Sequence, residues 1–175
     1  MKNKTLGVAL MKSVGSGYAA LNLAGSIPNL EILEFSPLGD QAQVLVLGDK
    51  KEVSRFIIEL RTGEIERSAS IDNFDEKLLQ NYLSLQTATL QKYVLLIEGH
   101  FTGDLFSCAQ QLSQLGLSVV DFRIFRTTNS PVHLIMTGED ADVIQEWLSS
   151  PPPHCQATLI QDLSAGLRQY FQFES

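Results

Sequence analysis

Positive charge is scarce in this chain: 13 Lys and Arg stand against 20 Asp and Glu, a formal charge of −7. A surface of that sign repels a phosphate backbone, which excludes nucleic acid as a principal partner. Long apolar runs are missing as well. The opening Met1-Lys2-Asn3-Lys4-Thr5-Leu6 is basic, but the apolar stretch behind it is short and broken by glycine, which argues against both a signal peptide and a membrane span. A cytoplasmic protein with no membrane partner is expected. Cysteine is nearly absent. Cys108 falls in a helical pattern and Cys155 in a strand-like one, with no metal-ligand spacing between them, so buried thiols are expected and neither a metal nor a cofactor is.

What is present is apolar residue in quantity, 44% of 175 residues, enough for one mid-sized domain or two small ones. A repeat favours two. Gly48-Asp49 follows the apolar run Val44-Leu45-Val46-Leu47 and opens a helical pattern; about ninety residues on, Gly138-Glu139-Asp140 follows Leu134-Ile135-Met136-Thr137 and does the same. Asp49 and Glu52 have the spacing of a capping box at the first of these helix starts.

In order, the first half gives a strand at 5–11, a turn at Gly15-Ser16-Gly17, and a helix at about 17–27 whose inner stripe, Ala20, Leu23, Ala24 and Ile27, is small enough to lie close to a sheet. Strands at 30–35 and 42–47 flank the loop Ser36-Pro37-Leu38-Gly39-Asp40-Gln41, which has the Pro and Gly of a reverse turn. A helix at 49–60 carries Val53, Phe56, Ile57 and Leu60 on one face. The alternation Ile65, Arg67, Ala69, Ile71 predicts a half-exposed strand, and a short helix follows with Leu78, Leu79, Tyr82 and Leu83 on one side. Residues 86–91 are polar and unpatterned, placing the joint there and the domains at 1–87 and 88–175. The second half repeats the order: strand 92–98, turn 99–103, helix 104–115 with Leu105, Ala109, Leu112 and Leu115, strand 117–125, loop 126–130, strand 131–137, helix 140–148, strand 155–160 and a last helix. Each half is β-α-β-β-α-β-α, so an α+β fold is expected, with helices packed on antiparallel sheets.

That order resembles the bacterial microcompartment shell domain, and in particular its tandem, trimer-forming members. The likeness is carried by Leu6-Gly7-Val8, Ala19-Ala20-Leu21-Asn22, Asn29-Leu30-Glu31-Ile32-Leu33 and Val44-Leu45-Val46-Leu47-Gly48-Asp49, with residues 68–73 where the family's final strand lies. Nearly the whole chain is covered, the second half more loosely. The resemblance implies two ferredoxin-like-related domains and a non-enzymatic structural role. It implies a homotrimer closing into a pseudohexagonal tile of a microcompartment shell, beside other shell proteins. It also puts two pore loops, Pro37, Leu38, Gly39 and Asp40 with Thr127, Thr128, Asn129 and Ser130, round an axis that small metabolites would cross. Two departures concern edge-to-edge tiling: Ser26 stands where the family usually has a lysine, and Ile71-Asp72-Asn73 where it has a Pro-Arg-Pro-like ending. Some tandem members bind an iron–sulfur cluster through a pore-loop cysteine; residues 36–41 contain none.

Catalytic readings are weaker at every position. Gly15-Ser16-Gly17 could cradle a phosphate but serves equally as a turn into a packed helix. His100, His133 and His154 are scattered. The pairs Asp72 with Asp75, and Asp140 with Asp142, sit at helix starts and are explained as caps and dipole partners. No catalytic residue is assigned. The alternative function is a ferredoxin-like regulatory module resembling paired amino-acid-sensing domains, with a small ligand at the shared seam.

Overall fold

The computed structural model describes residues 4–60, 63–83, 88–123 and 131–173. Four strands, β1 (Thr5–Met11), β2 (Glu31–Leu38), β3 (Gln41–Gly48) and β4 (Ile65–Ile71), form an antiparallel sheet in the order β2-β3-β1-β4. Another four, β5 (Tyr93–Gly99), β6 (Ser118–Arg123), β7 (Val132–Gly138) and β8 (Cys155–Ile160), form a sheet in the order β6-β7-β5-β8. The helices are α1 (Val14–Ser26), α2 (Lys50–Glu59), α3 (Glu76–Tyr82), α4 (Thr102–Gln114), α5 (Ala141–Leu148) and α6 (Ala165–Phe173). The class is α+β, as expected.

The two sheets share their register. Thr5 faces Gly48 at one end of β1 and β3, and Tyr93 faces Gly138 at the matching end of β5 and β7. Even the irregularity recurs: the ladder shifts between Ile32 and Glu34 in β2, and between Val119 and Asp121 in β6. Each shift leaves one extra residue in the outer strand, which bends and twists it locally.

In the first sheet, Ala9, Met11, Val44 and Val46 meet Ala20 and Ala24 of α1, Ile27 just after it, Val53, Phe56 and Ile57 of α2, and Leu60 just after that helix, in one apolar cluster. Leu6, Val8, Leu10 and Leu45, on the opposite face by strand alternation, are buried too. That two-sided burial is why β1 and β3 read as apolar runs. β4, at the sheet edge, alternates half-buried and exposed as expected.

Two expectations about helix starts are corrected. Gly15-Ser16-Gly17 is not a turn: α1 already begins at Val14, because Ser13 and Ser16 form the capping box. Ser13 Oγ accepts from Ser16 N at 3.0 Å and Ser13 N donates to Ser16 Oγ at 3.1 Å. At α2 the expected box is absent. Asp49 occupies the N-cap without a side-chain cap bond, its carboxylate lying 4.0 Å from Lys4 Nζ instead. The repeat's other copy does cap: Asp140 accepts from Asp142 N at 3.0 Å and Val143 N at 3.3 Å.

The described residues within Met1–Phe74 and Phe101–Gly103 form one compact unit, and those within Asp75–His100, Asp104–Ile124 and Pro131–Ser175 form a second. Helix α3 packs against β6: Leu78 is buried, and the Tyr82 ring lies 4.9 Å from Phe106 and 5.1 Å from Phe122. Leu105, Ala109 and Leu112 of α4 are buried as expected. Leu115 is not, being 48% exposed just past the last turn of the helix.

Two glycines on α1 give a test of opposite signs. A Cβ at Gly17 would stand 2.4 Å from Ala42 Cβ and 3.0 Å from Phe35 Cε2, whereas one at Gly25 meets nothing within 4 Å. Gly17→Ala is expected to lose about 1–3 kcal/mol to overpacking, outweighing the helix-propensity gain, because Ala42 Cβ is fixed to the backbone. Gly25→Ala is expected to gain up to about 1 kcal/mol. Urea unfolding of both variants checks the signs; equal shifts would refute the close approach of α1 to the sheet.

Candidate functional site

The candidate loop of the first half is tighter than expected. Pro37 and Leu38 belong to β2, Leu38 pairs with Gln41, and only Gly39 and Asp40 form the turn. Gly39 takes φ 69°, a left-handed value that two-residue hairpins need at this position and that a side chain would strain. Pro37 is tolerated because β2 is an edge strand. The tip, Gly39 and Asp40, is exposed.

Beneath the tip lies a buried polar pair. Ser36 and Gln43 face each other across β2 and β3 and are 2% and 1% exposed. Ser36 Oγ donates to the Glu34 carboxylate. Gln43 Nε2 is buried with no hydrogen-bond partner, a costly arrangement in a protein interior. An acidic tip over a polar base can interact electrostatically with solutes and bind them by hydrogen bonds. The loop of the second half, Thr127, Thr128, Asn129 and Ser130, lies outside the described residues.

The remaining candidates are dispersed. Gly15, Ser16 and Gly17 lie inside the first turns of α1. His133, the second residue of β7, sits 3.3 Å from Glu98 Oε1, its ladder neighbour in β5. His100 follows β5, and His154, at φ 70°, sits in the turn before β8. Asp75 caps α3 by accepting from Lys77 N at 2.9 Å. Asp72 accepts from Thr5 Oγ1 at 3.2 Å and pairs with Lys50. Lys50's hydrogen bond, seconded by Thr5's, holds the Asp72 carboxyl below its ordinary 3.8. Among the described residues, no three His, Cys, Asp or Glu side chains gather as a metal site.

Sequence reasoning missed the Ser36–Gln43 pair, although Gln43 stands out as a polar residue within an apolar strand. It also missed that Cys108 Sγ and Cys155 Sγ are 3.9 Å apart. Nothing in a separation of 47 residues signals such a contact.

No protein-family model matches this sequence, and no curated protein matches it. Among solved structures, that of a microcompartments protein from Desulfitobacterium hafniense DCB is similar over 95% of this chain and 98% of that one, with a TM-score of 0.80 at 19% identity. At that identity the likeness is one of fold. An unknown protein from Galdieria sulphuraria aligns over 93% of this chain and 100% of that one, with a TM-score of only 0.28 at 12% identity. The fold, two four-stranded antiparallel sheets with helices, is shared with the microcompartments protein.

The Lys50–Asp72 pair makes a pH prediction. Because Asp72 is depressed, the stability it contributes is present above its ordinary 3.8 and disappears as pH falls through the lower folded-state value. Lys50→Met is expected to move the Asp72 pKa upward and to close the stability gap from the parent in acid. A carboxyl NMR titration reads the first effect directly, and an unmoved pKa would refute the pairing.

Proposed function

We propose that this chain is a structural component of a bacterial microcompartment shell. Three copies close into a pseudohexagonal ring with the β2–β3 hairpin tips round its axis. The observation that carries the reading is the likeness of fold to a microcompartments protein over nearly the full length of both chains. The equal register of the two sheets supports a fused duplication with domains 1–87 and 88–175, and such a duplication lets three chains supply six equivalent positions. The role is non-catalytic and sited in the shell inside the cytoplasm. Its partners are further copies of itself and other shell proteins, and small metabolites cross at the axis lined by Pro37, Leu38, Gly39, Asp40, Thr127, Thr128, Asn129 and Ser130. With Ser26 in place of the usual edge lysine, edge-to-edge tiling relies on other contacts.

Light scattering tests the ring: a particle three times the 19.4 kDa chain is expected. A monomer or dimer whose thermal stability rises with an added amino acid would instead favour a ferredoxin-like sensing module.

The axis has its own test. Three copies of Asp40 would form a negative ring that disfavours small anions. Asp40→Asn is expected to raise anion binding or flux by at least about fivefold at low salt, and less at physiological ionic strength, while leaving a neutral solute unchanged. An unchanged anion signal removes the electrostatic role of this tip.

A further inference from the structure

Beyond that reading, the chain holds a chemical group that a shell role does not use. Cys108 lies on the inner face of α4 and is fully buried; Cys155 is the first residue of the edge strand β8 and is half-buried. Although 47 residues separate them, the Cys108 thiol donates to Cys155 Sγ across 3.9 Å. A disulfide requires about 2 Å between sulfurs, so each sulfur needs to travel about 1 Å. Side-chain rotation and a small shift at the strand's start can supply this. Cys155 ends the β5–β8 ladder opposite Gly99, and its N donates to Pro152 O at 3.3 Å.

We propose that Cys108 and Cys155 form an oxidisable dithiol, a modification site that closes to a disulfide tying α4 to β8 when the protein meets a small-molecule disulfide. The order of steps follows from the two environments. The hydrogen bond to Cys155, followed by burial, keeps the Cys108 thiol protonated well above the ordinary cysteine range. Cys155, which reaches solvent, therefore attacks first. Its thiolate displaces one thiolate from the small disulfide and becomes a mixed disulfide. The Cys108 sulfur then attacks Cys155 Sγ and expels the second small thiolate, which takes up the Cys108 proton. Two protein thiols are oxidised, one small disulfide is reduced to two thiols, and a new S–S bond closes within the chain.

The probe is oxidised glutathione on the purified full-length protein, read by thiol titration, intact mass and peptide mapping. The expected product has no free thiol, a mass lower by two hydrogens, no adduct, and one peptide linking positions 108 and 155. Its Tm should rise by roughly 5–10 °C, reversed by a reductant. Cys108→Ser should stop at a glutathione adduct on Cys155. If that variant does not fold, the parent's mass and peptide map still decide. A stable adduct on the parent, disulfide-linked dimers, or two thiols that remain titratable after prolonged exposure would each overturn the proposal. The oligomeric state plays no part in these readouts, so failure here is distinct from failure of the shell reading.

Discussion

Slip β1 by one residue against β3 and every inner side chain changes face. Ala9 and Met11 would leave the cluster with α1 and α2, and Leu6, Val8 and Leu10 would crowd into it. The register is therefore fixed by two shapes rather than one, since both faces of the central pair are buried and their side chains differ in size. The helix face is built from residues that let α1 approach, with Ala20 and Ala24 over the sheet and Gly17 against Ala42. The other face carries leucine at three of the four positions noted above. A half-exposed sheet could tolerate a mispairing on its wet side; this one cannot.

That constraint explains how the hairpin tip is held. The ladder runs unbroken from Phe35↔Val44 to Leu38↔Gln41, so the turn has only two residues and no slack. The shift between Ile32 and Glu34 lies at the far end of β2 and absorbs the mismatch in strand length away from the tip. Electrostatic ties act at the opposite end of the sheet. Lys50 on α2 and Thr5 on β1 both hold Asp72, which follows β4. The Lys50–Asp72 pair is exposed and positions the chain more than it stabilises the fold.

Much of this was legible in the sequence because it depends on near neighbours. Strands and helices declared themselves by period, and the Gly–acid repeat located β3 with α2 and β7 with α5. The failures involve choices between competing local partners or contacts distant in sequence. Asp49 and Glu52 have capping-box spacing, yet Lys4, forty-five positions away, draws the Asp49 carboxylate. Ser13 and Ser16 have the serine at both ends that a box can use, but the glycines around Ser16 suggested a turn. α3 has too few apolar residues to reveal which sheet it covers; its placement rests on the Tyr82, Phe106 and Phe122 rings meeting. At the candidate site the turn residues were legible from Pro37 and Gly39, while the buried pairing of Ser36 with Gln43 required the register.

The same register shows how one backbone plan can carry two chemistries. Reading across the first sheet near the hairpin end, the ladder joins Ser36, Gln43, Leu10 and Arg67; across the second, the matching positions are Arg123, His133, Glu98 and Gln156. The inner two positions of the first row are buried, one of them apolar, whereas the second row holds a His133–Glu98 pair with Arg123 bonded to Asp121. Strand pairing uses only backbone groups, so this substitution leaves the ladder intact.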